Sequence, residues 1–455
     1  MKLAILGGGG FRVPLVYGAV LRDLSSPRVD VVSLYDVAPD RLEAIGQVTR
    51  QMAQEQSAQG VTARGYGVAP AVETTTDLDR ALDGADFVFS AIRVGGLEGR
   101  IADERVALDL GLLGQETTGP GGLAYGMRTV PVAIHIAERI TRICPKAWVI
   151  NFTNPAGMIT EAMQQVLGDR VVGICDTPIG LGRRAARALS LDPEQTSFEY
   201  VGLNHLGWLR AVGYEGRDVL PDLIGDAELL TTIEEGRLFG PDWIQMLGCL
   251  PNEYLYYYYF TRDAVASIRG GAETRGEFLL DQQRAFYAAV AARPAAALHE
   301  WRRVREERDA TYMKEGRAED EIRDAADIES GGYEGVALAI MGAIARDERS
   351  TMILNVRNGS AVPGLPPEAV VEVPCTVDAD GPHPLATLPL AGHQLGLVQQ
   401  VKAVEQLTIE AARGRSAPLA LKAFALHPLV DSVSTARVLL QGYRDRHPDL
   451  GLLLR

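Results

Sequence analysis

Cys175 closes the apolar run RVVGI and is followed at once by Asp176, with Pro178 two places further on. His205 sits in GLNHLGW. Together they would offer one thiolate and one imidazole to a divalent metal. Two protein donors are too few for a closed structural site. They leave positions for water and for substrate hydroxyls, as a catalytic site requires. Each residue also has a plainer reading: inert packing for the cysteine, a satisfied core or surface position for the histidine. In PNEYLYYYYF, Tyr254, Tyr256, Tyr257, Tyr258 and Tyr259 crowd one short segment. Most of that run reads as an aromatic face against the core, but a tyrosine beside cations could serve as a base. Arg93, at a strand end before GG, and Arg275, opening a predicted helix in AETRGEF, are either surface residues or forks for a phosphate or carboxylate. For Arg93 the strand-end location favours the anion role.

The elements that must hold these residues begin with KLAIL, a strand-length apolar run, then GGGG, then FRVPLVYGAVLRDLS at helical spacing. Strand, glycine turn and helix in that order suit a dinucleotide. Glycine permits the tight turn and close backbone approach, and the helix start offers N–H groups to a pyrophosphate. Gly8 and Gly10 fit the first two places of the fingerprint, while Val13 stands at the third. A second strand, VDVVSLYD, ends in Asp36. That carboxylate either accepts hydrogen bonds from an adenine ribose, favouring NAD over NADP, or caps the next helix. ADFVFSAI, AWVINF and RVVGI follow as further strands at α/β spacing. Their ends carry Arg93, Asn154, Cys175 and Asp176, where ligands of a parallel sheet sit. The loop GQETTGPGG, with Glu116, is either an ordinary connection or ordered around the nicotinamide end of a cofactor.

The second half reads as mixed. VGLNHLGWLRAVGYEG predicts a hairpin with its turn near YEGRD, STMILNVRN and AVVEVPCTV read as strands, and the tail from Gln394 to Leu454 as mostly helix. KEGRAEDEIRDAADIESGGYEG reads as an exposed linker or mobile loop. The chain has 455 residues, enough for two or three domains, and a formal charge of −14. Such acidity disfavours nucleic acid as a partner. Cys144, Cys175, Cys249 and Cys375 form no CxxC pair, which suggests reduced thiols in a cytoplasm. The start lacks the features of a signal peptide, and no apolar run has the length of a membrane span.

Several motifs, in order, resemble one family. GGGGFRVP, SAIRVGG, GQETTGPGG, NFTNPAG, GICDTP, GLNHLGW, PNEYLYYYY and TRGEF are similar to those of glycoside hydrolase family 4, whose members depend on NAD and a divalent metal and stand outside the usual two-carboxylate scheme. The resemblance implies an α/β fold: an N-terminal Rossmann-like dinucleotide-binding domain, 1–195, and a C-terminal α+β domain, 196–455, for substrate, metal and oligomerisation, in a lactate/malate dehydrogenase-like architecture. It implies that Cys175 and His205 bind the metal, Mn²⁺ in the first instance, and that Tyr254 removes the substrate C2 proton. Asn154 would contact hydroxyls near the metal, and Arg275 and Arg93 would grip a 6-phosphate. Gly8, Gly10, Phe11, Asp36 and Glu116 would contact NAD.

The substrate implied is a phosphorylated disaccharide or aryl glycoside, and the assembly a homodimer or homotetramer in the cytoplasm. The residue after the metal cysteine divides the family, and Asp176 points to the α type, where it would act as general acid. NFTNPAGM and GLNHLGW look more like the β branch, and these longer segments favour a 6-phospho-β-glucosidase. The implied route is oxidation at C3, loss of the C2 proton, elimination of the aglycon, addition of water and return of the hydride. Two rivals remain at this level: an NAD-dependent 2-hydroxy acid dehydrogenase of the malate or lactate type, and a catalytically idle NAD-binding protein.

Overall fold

The structure, a computed structural model, describes residues 1–58, 69–310 and 332–454. The stretch read as a linker or mobile loop lies outside the described residues as far as position 331. The first strand, β1 (Lys2–Leu6), is apolar because both its faces are covered, and Leu3, Ile5 and Leu6 are fully buried. It is joined in parallel by β2 (Val31–Tyr35), β3 (Ala71–Thr75), β4 (Phe87–Ser90), β5 (Trp148–Asn151) and β6 (Val171–Gly173). Their spatial order is β3-β2-β1-β4-β5-β6. The order reverses between β1 and β4, so a crevice opens beyond those strand ends.

The sheet does not stop there. Gly173 of β6 pairs antiparallel with Asn355 of β11 (Ser350–Arg357), counting β7 (Ser197–Leu203), β8 (Leu206–Tyr214), β9 (Arg217–Asp218) and β10 (Leu250–Pro251) before it. Next come β12 (Val370–Asp378), then β7, β8 and β10, all antiparallel. β13 (Gly381–Pro384) pairs with β12, and β9 with β8. One hydrophobic cluster, from Leu3 and Ile5 through Trp208 to Val377, runs under both parts.

The hairpin differs from the sequence expectation. The turn at Glu215 and Gly216 exists, but it joins β8 to the short β9. The main hairpin turns at Asn204–His205, between β7 and β8. The regular alternation of VGLNHLGW masks that turn, because Asn and His accept it without a glycine or proline to mark it. His205 has φ 62°, a left-handed backbone that a non-glycine residue adopts only where its surroundings hold it.

The tail is helical, as expected: Gly392–Gly414, Ala417–Leu426, Val433–Arg446 and Pro448–Leu453. It returns to the parallel half, where Gly392–Gly414 packs on the long helix Pro120–Ile143. That long helix starts at Pro120, so Gly121 and Gly122 lie inside it rather than before it. A Cβ on Gly122 would stand 2.2 Å from the Thr117 carbonyl oxygen, so the helix can begin there only by folding tightly onto the preceding loop. No helix among the described residues is long and apolar enough to cross a membrane.

Candidate active site

Four strand ends and the hairpin tip open on one cavity of about 260 Å³. Gly7, Gly10 and Phe11 reach it from β1, Arg93 from β4, Asn154 from β5, Cys175 and Asp176 from β6, His205 from the turn, and Tyr254 from the segment after β10. The sheet thus brings together residues spread over most of the chain.

The glycine loop is folded on itself. The N–H groups of Gly7 and Gly8 both donate to the Tyr35 carbonyl, at 2.9 and 2.6 Å. Gly7 has φ 84°, and a Cβ there would lie 2.5 Å from the Ala91 carbonyl oxygen. Only glycine allows the loop to lie this close to the end of β4. Asp36 Oδ2 accepts from the Gly9 N–H at 2.9 Å and its Oδ1 from Ala38 N–H at 3.0 Å. The Tyr287 hydroxyl donates to the Gly9 carbonyl at 2.6 Å. Asp36 therefore braces the glycine loop and caps the following turn. Neither Asp36 nor Gly8 lines the cavity. A loop this tight, opening on a crevice at a helix start, fits a dinucleotide pyrophosphate.

Cys175, Asp176, His205 and Tyr254 form one group in the lining. The His205 and Tyr254 rings stack with centroids 3.6 Å apart and planes within 3°. Burial holds the imidazole neutral, its pKa lowered to about 3. Burial, and then the nearby carboxylates of Glu372 and Asp176, push the Cys175 thiol well above its ordinary range. Cys175 Sγ lies 3.3 Å from Thr177 Oγ1, which accepts from Asn252 Nδ2 at 2.9 Å. The Asn252 amide also donates to the Tyr200 hydroxyl at 3.2 Å, and its Oδ1 accepts from the Tyr254 N–H at 3.1 Å. One amide thus ties the thiol's strand to the tyrosine's segment.

Glu372 lies behind this group, fully buried, accepting from Asn355 at 2.7 Å and from Asn204 at 3.3 Å. Burial pushes its carboxyl up to about 7, although those hydrogen bonds pull it down. No group of three or more His, Cys, Asp or Glu residues placed to hold a metal occurs among the described residues. A neutral imidazole and a thiol sharing a cavity nonetheless fit a divalent cation whose other positions go to water and substrate.

A second group, adjoining the first, is rich in arginine. Glu116 Oε2 meets Arg93 Nη1 at 2.7 Å and Arg100 Nη1 at 3.0 Å. Burial alone would raise that carboxyl, but Arg100 and Arg93 overcome it and hold it at about 2. Arg93 and Glu116, expected to serve different ligands, are therefore partners of each other. Arg100 also binds Glu104 at 2.7 Å, and Glu104 accepts from the Gly276 N–H at 2.9 Å. Arg100 lies within Coulombic reach of Tyr254. Arg308 and Arg12 line the cavity with Arg93, whereas Arg100 lies behind the lining. Burial, then Arg12, Arg275 and Arg100, push the Arg308 guanidinium well below its usual range. Arg275 does not line the cavity; its guanidinium donates to the Arg308 backbone carbonyl at 3.2 Å.

Sequence reasoning missed Arg12, Arg100, Arg308, Thr117, Asn252 and Glu372. Arg12 and Asn252 stand inside motifs already singled out, GGGGFRVP and PNEYLYYYY, and adjacency could have flagged them. Arg308, in a helix dense with charge, and Glu372, in an ordinary strand, carry no local signal. Of the tyrosine run, Tyr254 lines the cavity, whereas Tyr257 is buried and Tyr256, Tyr258 and Tyr259 pack against the core.

Known proteins resemble this chain over almost its whole length. The chain is 32% identical to a probable 6-phospho-beta-glucosidase of Bacillus subtilis, over 98% of this chain and 96% of that protein. It is 30% identical to a maltose-6'-phosphate glucosidase of the same organism, over 98% and 96%. The 6-phospho-beta glucosidase of Thermotoga maritima, solved with manganese, NAD+ and glucose-6-phosphate, superposes with a TM-score of 0.81 at 26% identity, covering 99% of both chains. A lactate dehydrogenase of Eimeria maxima shares the fold alone, at 14% identity and a TM-score of 0.52 over 91% of this chain and 95% of that one. The Rossmann-like N-terminal part joined to a C-terminal part is thus common to both groups. Residues 2–191 match the sequence profile described as family 4 glycosyl hydrolase, and residues 200–430 match that of the family 4 glycosyl hydrolase C-terminal domain. The chain belongs to the family 4 glycosyl hydrolases.

Proposed function

We propose that this protein hydrolyses 6-phospho-β-glucosides, with NAD and a divalent metal such as Mn²⁺ as resident cofactors. The observation that supports the reading best is the shared cavity, lined by a thiol, an imidazole, a tyrosine, several arginines and the glycine loop. Cys175 and His205 would hold the metal, and the glycine loop with Phe11 the dinucleotide; bound there, the two supply polarisation of sugar oxygens and a reversible hydride acceptor. Residues 1–195 would form the nucleotide-binding unit and 196–455 the substrate and oligomerisation unit of a dimer or tetramer acting in the cytoplasm.

The chain's own residues take the remaining tasks. Tyr254, held flat on His205, would take the C2 proton on its phenolic oxygen, and Arg100 would favour the charge developing there. Asn154 would orient sugar hydroxyls. Arg308, with Arg12 and with Arg275 behind it, would hold the 6-phosphate of a phosphorylated disaccharide or aryl glucoside. Arg93 is charge-compensated by Glu116 and would position that pair rather than grip an anion alone. Burial of Tyr254, Cys175 and His205 would keep bulk water from the reacting carbons.

A second reading, cleavage of the α anomer, draws support from Asp176. Its carboxylate lines the cavity beside Cys175, where it could protonate a leaving oxygen. Paired assays with α- and β-linked chromogenic 6-phosphoglucosides, with Mn²⁺ and a reductant present, distinguish the two. Release from the β-linked compound is expected, and release from the α-linked compound alone would favour the second reading. Turnover in D₂O should place deuterium at C2 of the product. Stoichiometric accumulation of NADH would overturn both readings in favour of a dehydrogenase.

A further inference from the structure

We propose that Thr117 is a positioning residue that fixes the tautomer of His205, so that Nε2 is the bare nitrogen left for a ligand in the main cavity. The inference rests on the metal-binding reading above and names the residue that prepares its imidazole donor.

The argument starts at Gln115. Its side-chain Oε1 lies 2.6 Å from the backbone N–H of Thr117 and 2.6 Å from that of Thr118. Two backbone donors on one atom identify that atom as the amide oxygen, since the amide nitrogen has no lone pair to offer. The Thr117 hydroxyl lies 3.1 Å from the same oxygen. In that hydrogen bond Gln115 Oε1 can only accept, so the hydroxyl is the donor and its hydrogen lies between the two oxygens. Thr117 thus spends its one proton on Gln115, and a lone pair remains on its oxygen.

That oxygen lies 3.0 Å from His205 Nδ1. With its proton committed, Thr117 accepts there, so Nδ1 carries the ring hydrogen. A neutral imidazole has only one, and Nε2 is left with a free lone pair. The ring stands between two cavities: His205 lines the main one with Cys175 and Asp176, and a smaller one of about 30 Å³ with Thr117 and Thr118. Nδ1 is taken up by Thr117, so Nε2 is the nitrogen left for a ligand in the main cavity. Tyr254 fixes the ring plane by stacking, and Thr117 fixes its rotation in that plane. A metal-binding imidazole is commonly oriented by a hydrogen bond at its other nitrogen, and losing that bond costs about 10–100-fold in metal affinity.

The test compares Thr117→Val, which removes the oxygen, with Thr117→Ser, which keeps it. In metal-free protein labelled with ¹⁵N-histidine, long-range ¹H–¹⁵N spectra read the tautomer directly, with His205→Asn identifying the signal. Wild type and Thr117→Ser should show Nδ1–H, and Thr117→Val a mixture or Nε2–H. Mn²⁺ titrations followed by electron paramagnetic resonance should show affinity about 10–100-fold weaker for Thr117→Val, with Thr117→Ser close to wild type. Nε2–H in the wild type would overturn the proposal, as would wild-type Mn²⁺ affinity in Thr117→Val or equal losses in both variants. Should the wild type bind no Mn²⁺, the metal reading fails, and the tautomer spectra still decide the Thr117 assignment.

Discussion

Two adjoining groups of residues at the cleft handle charge differently. The arginine group concentrates charge. Arg12, Arg93, Arg100 and Arg308 gather near Glu116, and Arg308 is driven below its normal range by burial and by its cationic neighbours. In the thiol group the two candidate metal donors are held uncharged beside Asp176. His205 is held neutral, the Cys175 thiol is pushed up, and Glu372 titrates near neutrality. Burying like charges together is costly unless an anion arrives to share them. Holding potential ligands uncharged avoids that cost until a cation arrives. The arginine group is thus suited to an anionic end of a substrate and the thiol–imidazole pair to a metal.

The sharpest way to break this contrast is at Cys175. Cys175→Ser should lower kcat on a phosphoglucoside by roughly a thousandfold, as when several kcal/mol of metal polarisation are lost. Activity within tenfold of wild type would remove the thiol–imidazole pair from the chemistry.

Next in size is Glu116→Gln. It leaves Arg93 and Arg100 without their shared carboxylate and should cost about 3 kcal/mol in urea unfolding. The loss stays at the lower end because Arg100 keeps Glu104. An unchanged midpoint would show that the arginine group does not need its counter-ion.

Arg308→Ala should raise KM for 6-phosphoglucosides about 10–100-fold, the worth of a charged hydrogen bond, and leave unphosphorylated glucosides little changed. Arg275→Ala, one layer back, should show a smaller rise with the same bias. Equal losses on both substrate types would remove the phosphate assignment from these arginines.

The smallest effect concerns His427, which shares the minor cavity with His205. Burial lowers its pKa to about 3, and its Nδ1 accepts from the Leu429 N–H at 3.1 Å. An unfolded histidine takes its proton near pH 6.5. Between about 6.5 and 3 the unfolded state therefore binds the extra proton, and stability falls as pH falls through that window. His427→Asn can keep the Leu429 bond but cannot titrate. Its unfolding free energy should vary less steeply with pH there, by one proton, and an unaltered slope would place that imidazole in solvent.

Much of the fold was legible because its signals are local. KLAIL–GGGG–helix and the apolar strands ending in Arg93, Asn154 and Cys175 announce a parallel sheet through composition and turn chemistry alone. The hairpin turn is hidden in the sequence because Asn204–His205 lacks the usual breakers, and only the pairing of Leu203 with Leu206 reveals it. By its place at a strand end Asp36 suits a ribose or a cap. Its brace on Gly9 depends on how the β1 loop folds back over β2.

Sequence by itself determined the strand ends, the glycine turn and the residue types able to bind a metal or move a proton, because backbone preference and side-chain chemistry travel with each residue. Tertiary structure decided their partnerships. It joined Arg93 to Glu116, set Arg308 rather than Arg275 on the cavity, stacked Tyr254 on His205 and buried Glu372 behind Cys175. Those relations arise where separate elements meet, and charge, burial and hydrogen-bond direction exist only once that packing is complete.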